Sequence, residues 1–301
     1  MSVSIARRQR AERALATLAD LVALTKPRVV SLLVVTGVCG YLAGAAGRVD
    51  LGALFAVAGG GALAAGGANA LNCAFDRDLD AVMSRTRRRP IPGGRVTVTN
   101  AVVLGVSMNA VAALWLVGSA NALAAGLALA GTFWYLLVYT MWLKRRSTQN
   151  IVIGGAAGCF PPLVGWAAAT GSLDATALAL AAVIFLWTPP HFWALATLLR
   201  DDYRRAGVPM LPAVISIERT AGEAFVYAVA TVAASLTPLL WGGAGGIYAV
   251  SALGLGAAFV ARANAFRTHA DRATARRLFG YSIIYLAALF LALVIDRMVS
   301  R

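Results

Sequence analysis

The chain has 301 residues, of which 59% are hydrophobic and 13% are charged, and its formal net charge is +14. The charged fraction is about half that of a soluble globular domain, and the apolar residues form long uninterrupted runs, which excludes an ordinary soluble protein. A high positive charge is also typical of nucleic-acid binding. Here the basic residues lie between the apolar runs, as they do in membrane proteins, so we predict no nucleic-acid partner.

Nine apolar runs are long enough to cross the hydrocarbon core of a bilayer as helices. In chain order we predict spanning helices at about 29–47, 51–71, 101–118, 122–143, 151–169, 175–199, 224–241, 242–261 and 278–295. The eighth run begins in a glycine-rich stretch and gives the weakest signal. The sequence therefore predicts an all-α, polytopic membrane protein.

The distribution of charge predicts the orientation of these helices. If the N-terminus is cytoplasmic and the C-terminus is outside, 24 of the 27 lysine and arginine residues fall in cytoplasmic loops, as the positive-inside rule requires. Only three carboxylates then lie outside: Asp50, Asp174 and Asp296. We predict a basic cytoplasmic segment at 1–20, a single transmembrane domain at 21–301, and an active face at the cytoplasmic surface.

The stretch NALNCAFDRDLD follows the second run and is rich in oxygen ligands. Asn72, Asp76 and Asp80 are four residues apart, so a helix places them on one stripe, which Asn69 joins from three residues before. Magnesium commonly uses one or two carboxylates and takes its other ligands from water and substrate phosphates. The spacing predicts half of a metal site, with a diphosphate as the other half.

Arginines follow these carboxylates in the stretch MSRTRRRP. Guanidinium groups match phosphate oxygens, so Arg85 and Arg89, with Arg88 between them, are candidate diphosphate ligands. Two alternatives stay open. The aspartates can simply mark a charged helix end that is paired with arginines, and each arginine can reflect the positive-inside bias alone. Asp78 points away from the stripe and is predicted to face solvent or form a salt bridge.

These motifs resemble those of the UbiA superfamily of intramembrane prenyltransferases. Asn72, Asp76 and Asp80 fit its NxxxDxxxD motif. Three further stretches are similar to one branch of that superfamily, the branch that farnesylates haem: LTKPRVVSLLVVT at 24–36, YTMWLKRRSTQNIVIGGAAGCFPPLVGW at 139–166 and WTPPHFWALATLLRDDYRRAGVPMLP at 187–212. The resemblance runs from about residue 20 to the last apolar run.

The resemblance implies a fold, an activity and partners. Nine helices would surround a central cavity, and Mg²⁺ would be the cofactor. The protein would transfer a farnesyl group from farnesyl diphosphate to a vinyl group of haem B, with addition of water, to give haem O for haem-copper oxidase biogenesis. It would contact membrane lipid in the bacterial inner membrane. Haem A synthase, which would act next on haem O, would be a further partner.

The resemblance also adds candidate residues beyond the first motif. Tyr139 would stand near the carbocation and Lys144, one of only two lysines, near the diphosphate; an interfacial tyrosine and lysine belt is the alternative. His191 follows Pro189 and Pro190 inside an apolar run. It would ligate haem iron or act as a general acid or base. Alternatively, it only satisfies carbonyls that the prolines leave free.

A second acidic motif is incomplete. In LLRDDYRRAG, Asp202 stands where the last aspartate of the superfamily's second motif would fall, but Leu198 occupies the position four residues before it. We predict Asp202 as a metal ligand and Arg204 as a phosphate ligand, and the number of metal ions stays open.

Two other functions would give different sequence patterns. A prenyltransferase for an aromatic quinone precursor would share the aspartates but not the RTxxRP and PPHFWAL patterns. An ion-coupled transporter would place its charged residues near the bilayer midplane on broken helices. The acidic clusters here follow helix ends predicted to be cytoplasmic, which favours an enzyme.

Overall fold

The structure, a computed structural model, describes residues 17–299. Within this range nine helices are long and apolar enough to cross a membrane, which confirms the predicted class and number of spans. They are numbered Pro27–Ala45 (α1), Leu51–Phe75 (α2), Val98–Ser119 (α3), Ala122–Leu143 (α4), Asn150–Thr170 (α5), Ala175–Leu198 (α6), Ile217–Trp241 (α7), Gly246–His269 (α8) and Arg272–Val299 (α9). Most of the predicted basic segment at 1–20 lies outside the described residues.

Two helices begin several residues before the apolar runs that predicted them. Helix α7 begins at Ile217 and α9 at Arg272. Each follows a capping side chain: Ser216 Oγ and Asp271 Oδ1 accept hydrogen bonds from backbone N–H groups of the first turn, at 3.2 and 2.7 Å. A cap fixes where a helix starts, whereas an apolar run reports only the part that is buried in hydrocarbon.

Capping also explains two of the three carboxylates that were predicted to lie outside. Asp50 Oδ1 accepts from the backbone N–H three residues on at 2.8 Å and begins α2, and Asp174 does the same for α6 at 2.9 Å. Asn121 caps α4 in the same way at 2.9 Å. The polar side chains of these short loops therefore act as N-terminal helix caps.

Two spans contain segments that are not α-helical. Helix α4 begins as an α-helix and continues as a π-helix over Trp134–Leu143, and α5 contains a 3₁₀ turn at Gly155–Cys159. In the π-helix the Lys144 N–H donates to the carbonyl of Tyr139 at 2.8 Å. This wider turn brings residues five apart onto one face, which an α-helix does not do.

Helices α1 and α5 cross with their backbones in contact. A Cβ atom at Gly165 would lie 1.9 Å from the carbonyl oxygen of Gly37, and one at Gly40 would lie 2.4 Å from that of Pro162. Only glycine permits this approach, which is how membrane helices without a hydrophobic driving force pack closely.

A cavity of about 390 Å³ lies between α1, α2, α4, α5 and α6. Its walls are almost entirely apolar. At one end it reaches Asn69 and Tyr139, and at the other it reaches Val57 and Val164. The predicted cavity is thus present, and its polar end meets the first acidic motif.

Candidate active site

The first acidic motif lies where α2 gives way to a short helix, Arg77–Val82. Asp76 forms the junction with φ −89° and ψ 9°, so the helix breaks at the residue between the two segments. The hydrogen-bond pattern nevertheless continues: Asp76 N–H donates to the Asn72 carbonyl at 2.9 Å, and Asp80 N–H donates to the Asp76 carbonyl at 2.8 Å. The predicted four-residue spacing is therefore retained across the break.

The side chains of this stripe are buried together. Asp76 is 1% exposed and Asp80 3%, and Asn69 and Asn72 are buried beside them. The Asn72 amide donates to Asp76 Oδ2 at 2.8 Å and to Thr140 Oγ1 at 3.0 Å. Thr140 belongs to the π-helix of α4, so this hydrogen bond connects α2 to α4 at the site.

Asp78 behaves as its spacing predicted. Its side chain is 59% exposed and pairs with Arg145 at 2.6 Å. Hydrogen bonds from Arg145 hold the pKa of Asp78 at about 2, well below its usual range. This confirms that Asp78 lies outside the buried cluster.

Each buried carboxylate has a cationic partner. Lys144 forms an ion pair with Asp76 Oδ2, and Arg89 Nη1 contacts both oxygens of Asp80 at 2.8 and 2.9 Å. The structure therefore brings together predicted residues from the loop after α2 and from the end of α4. Because unpaired buried charges are costly, these pairs account for how two aspartates are buried side by side.

A third cation, Lys26, lies at the site and was not predicted. Its Nζ donates to Asn72 Oδ1 at 2.7 Å, and its backbone adopts a left-handed conformation with φ 52° just before Pro27. Desolvation lowers the pKa of Lys26 to about 8. A signal was available: the chain has only two lysines, and both, Lys26 and Lys144, lie at this site.

One oxygen of the cluster fits a divalent cation. Asp76 Oδ1 is buried and accepts no hydrogen bond; its nearest ion-pair partner, Arg145 Nη2, lies 4.0 Å away. Buried carboxylate oxygens nearly always have a partner, so this atom is suited to a metal ligand. Among residues 17–299 no group of three or more His, Cys, Asp or Glu side chains converges. The donor set of two aspartates and Asn72 suits Mg²⁺ that completes its shell with water or phosphate.

Two tyrosines line the cavity beside the carboxylates. The rings of Tyr135 and Tyr139 stack with their centroids 5.7 Å apart, and Lys144 Nζ lies 5.9 Å from the Tyr139 centroid. The Tyr135 hydroxyl donates to Asn69 Oδ1 at 3.4 Å. Tyr135 was not predicted, since its place depends on the π-helix. The two rings offer π faces to whatever occupies this end of the cavity.

Three predicted phosphate ligands lie at the periphery. Arg85, Arg88 and Arg204 are exposed. Arg204 Nε donates to the carbonyl of Ala213 at 3.1 Å. None of the three pairs with Asp76 or Asp80, so their contact with phosphate remains a prediction.

Asp202 is held by residues other than the first motif. Ser84 Oγ lies 2.8 Å from both carboxylate oxygens, and Arg205 forms an ion pair with the same group. The hydrogen bond from Ser84 and the charge of Arg205 lower the pKa of Asp202 below its usual range. The contact ties the loop after α2 to the loop after α6. The role of Asp202 as a metal ligand remains a prediction.

His191 lies at the seam between α6 and α9 rather than on the cavity wall, which Thr188 and Phe192 line instead. Its ring packs against Trp187 at 4.2 Å between centroids, and its Nδ1 lies 2.7 Å from Ser282 Oγ. Ser282 Oγ already donates to the Phe279 carbonyl at 2.6 Å, so His191 Nδ1 is the donor in their hydrogen bond. Its Nε2 is then an acceptor, which suits either predicted role.

Fold and site together define a class: a polytopic membrane protein with a buried cluster of aspartates and cations next to the end of an apolar cavity that Asn69 and Tyr139 line. The chain matches the UbiA prenyltransferase family over residues 33–294. This chain belongs to the UbiA prenyltransferase family.

Three relatives of similar sequence are named protoheme IX farnesyltransferase. A protoheme IX farnesyltransferase from Thermus thermophilus is 50% identical over 286 residues, which are 94% of this chain and 47% of that protein, so the chain spans about half the length of this relative. Relatives with the same name from Nostoc and Symbiobacterium thermophilum are both 48% identical. They cover 91% and 92% of this chain, and 86% and 93% of their own lengths.

Solved structures share the fold. A structure of digeranylgeranylglyceryl phosphate synthase has a TM-score of 0.78 at 17% identity and covers 94% of this chain and 99% of that one. A UbiA homologue from Archaeoglobus fulgidus bound to GPP and Mg²⁺ has a TM-score of 0.64 at 15% identity, covering 91% and 99%. At these identities the likeness concerns the fold alone.

Proposed function

We propose that this protein transfers a farnesyl group from farnesyl diphosphate to a vinyl group of haem B, with addition of water, to give haem O. Relatives at 48–50% identity that are named protoheme IX farnesyltransferase support the acceptor. The buried pairing of Asp76 and Asp80 with Lys144 and Arg89 carries the proposal, together with the apolar cavity whose polar end Asn69 lines. Such a site matches a ligand with a diphosphate head and an apolar chain.

Asp76, Asp80 and Asn72 are the residues that would hold Mg²⁺. When bound there, the ion would neutralise the diphosphate and favour its departure. The free oxygen of Asp76 supports this assignment.

Lys144, Arg89 and Lys26 would bind the phosphate oxygens, since each already lies within hydrogen-bond distance of the proposed metal ligands. Fixed cations at these positions stabilise the negative charge that develops as the C1–O bond of the donor breaks and its electron pair leaves with the diphosphate. Tyr139 and Tyr135 would face the resulting allylic cation with their ring faces. The apolar walls exclude water that would otherwise quench it.

The acceptor completes the reaction. The terminal vinyl carbon of haem B donates its electron pair to C1 of the farnesyl cation and forms the new C–C bond. The positive charge then lies on the carbon next to the porphyrin ring, where water adds and loses a proton to give a hydroxyethylfarnesyl group. His191, through Nε2, is the candidate for haem iron ligation or for accepting that proton.

The protein is an integral, multi-pass membrane protein, and we place its site at the cytoplasmic face of the bacterial inner membrane. The 24 to 3 distribution of basic residues supports this orientation, because the loops that carry the site lie on the side that holds 24 of the 27 basic residues. Haem A synthase is the proposed consumer of the product.

The direct test uses purified protein in detergent or liposomes with haem B, farnesyl diphosphate and Mg²⁺. We expect a farnesylated, hydrated haem by mass spectrometry, and no product after chelation of the metal until Mg²⁺ is restored. Prenylation of only 4-hydroxybenzoate or a naphthoate in parallel reactions would show that the acceptor is wrong. No prenyl transfer to any acceptor would contradict the enzyme class.

The position of Tyr139 gives a prediction about Gly154. A Cβ atom at Gly154 would lie 2.4 Å from Tyr139 Cδ2, so Gly154→Ala must displace the ring. Overpacking of this kind costs about 1–3 kcal/mol, and we expect a lower melting temperature together with about tenfold slower transfer. Gly126→Ala is the control, because a Cβ atom there meets nothing within 4 Å. Unchanged turnover in Gly154→Ala would show that the ring position is unimportant.

A further inference from the structure

We propose that the closed end of the cavity measures the prenyl chain, and that Gly61 and Val57 decide which chain length the protein accepts. This inference rests on the proposed function, because it assumes that the diphosphate lies at Asp76 and that the prenyl chain extends from there into the cavity. It adds a preference for the chain length of the prenyl donor, which neither the family motif nor the proposed acceptor specifies.

One stripe of α2 supplies a wall that runs the full depth of the cavity. Its members are Val57, Gly61, Ala64, Ala65, Ala68 and Asn69. From Asn69 at the polar end to Val57 is twelve residues, or about 18 Å along the helix axis. Apart from Asn69 these side chains are small and apolar, so the wall forms a narrow slot that suits an extended hydrocarbon chain.

The deep end of this slot is closed by backbone. Val57 is 2% exposed and Val164 5%, and both line the end of the cavity together with Gly37. Directly beyond, Gly165 packs against the Gly37 carbonyl so closely that a Cβ atom would lie 1.9 Å from the oxygen. A longer chain cannot pass between two helices in backbone contact, because no side chain there can rotate away.

Gly61 lies two-thirds of the way down the slot. It is eight residues from Asn69, or about 12 Å. A Cβ atom at Gly61 meets nothing within 4 Å, so the space in front of it is open. Since Gly61 is four residues from both Val57 and Ala65 on the cavity stripe, that space is the slot itself. A larger side chain at Gly61 would leave room for two isoprene units in place of three.

The experiment measures binding rather than turnover, so that it does not depend on the acceptor. Prenyl thiolodiphosphates with two, three and four isoprene units are titrated, with Mg²⁺, into the purified protein in detergent. For the unaltered protein we expect the four-unit ligand to bind at least about tenfold more weakly than the three-unit ligand. Gly61→Leu should weaken binding of the three-unit ligand by about tenfold and leave the affinity for the two-unit ligand unchanged.

Further variants sharpen the comparison. Val57→Ala should reduce the difference in affinity between the three-unit and four-unit ligands. If Val57→Ala does not fold, Val164→Ala tests the same end of the cavity. Gly126→Leu is the matched control, because Gly126 is another helical glycine with open space in front of it but does not line the cavity. It should leave all three affinities unchanged.

Three results would overturn the proposal. They are equal binding of the three-unit and four-unit ligands to the unaltered protein, equal weakening of all three ligands by Gly61→Leu, and the same change in preference from Gly126→Leu. The chain-length preference can shift as expected while haem is not prenylated. That result would support chain-length selection by the cavity and refute the proposed acceptor.

Discussion

Asp76→Asn is expected to slow prenyl transfer by about 10³-fold, because a ligand lost from the proposed Mg²⁺ site removes several kcal/mol of charge stabilisation in the transition state. The same holds for Asp80→Asn. The carboxylate of Asp76 is buried and has a free oxygen, so a neutral amide cannot replace it as a metal ligand. Turnover as a function of Mg²⁺ concentration is the measurement, and the apparent affinity for Mg²⁺ should fall with it.

Asp78→Asn is the matched control. It makes the same chemical change two residues away, on a side chain that is exposed and paired with Arg145. Because exposed ion pairs contribute little, we expect turnover within about twofold of the unaltered protein. The metal assignment is wrong if Asp76→Asn keeps full turnover, or if the Asp76 and Asp78 variants lose activity alike.

The second large effect is expected for Lys144→Met. Lys144 is mostly buried and pairs with Asp76, so its loss removes a fixed cation that is proposed to stabilise the leaving diphosphate. Truncating one partner of a buried charge pair costs about 2–5 kcal/mol, and we expect kcat/KM for the prenyl donor to fall by about 10²-fold. Pyrophosphate should also become a weaker inhibitor, which a purely structural role of Lys144 would not produce.

Arg145→Met tests whether position or charge alone matters. Arg145 is the next residue in the chain and has the same charge, but its close partner is the exposed Asp78 at 2.6 Å, and it stays 4.0 Å from Asp76 Oδ1. We expect less than about threefold loss of kcat/KM. Melting temperatures of both variants separate misfolding from loss of function. Equal inhibition by pyrophosphate in Lys144→Met and the unaltered protein would refute the role of Lys144.

Helical spacing alone predicted the centre of this site. Asn72, Asp76 and Asp80 were placed on one stripe from their four-residue intervals, and Asp78 was placed outside it. The structure keeps these positions although the helix breaks at Asp76, since the hydrogen bonds four residues apart continue through the break. Local geometry of this kind depends on near neighbours in the chain, which the sequence lists directly.

Partners distant in sequence were not predictable in the same way. Lys26 meets Asn72 across 46 residues, Ser84 meets Asp202 across 118, and His191 meets Ser282 across 91. Each contact depends on which helices lie side by side and how far they are rotated. Apolar runs do not specify which helices are neighbours or how they are rotated, because many arrangements of apolar helices bury the same surface.

The sequence by itself determined that residues 17–299 contain nine segments able to cross a membrane, because each span must cover the hydrocarbon core with apolar residues and satisfy its own backbone hydrogen bonds. It also determined which loops carry the charged residues. Only the tertiary structure decided that α4 becomes a π-helix, that Lys26 contacts Asn72, and that α1 and α5 come into backbone contact at Gly37 and Gly165. These features arise from packing between helices, where a shift of one atom's width changes which groups touch.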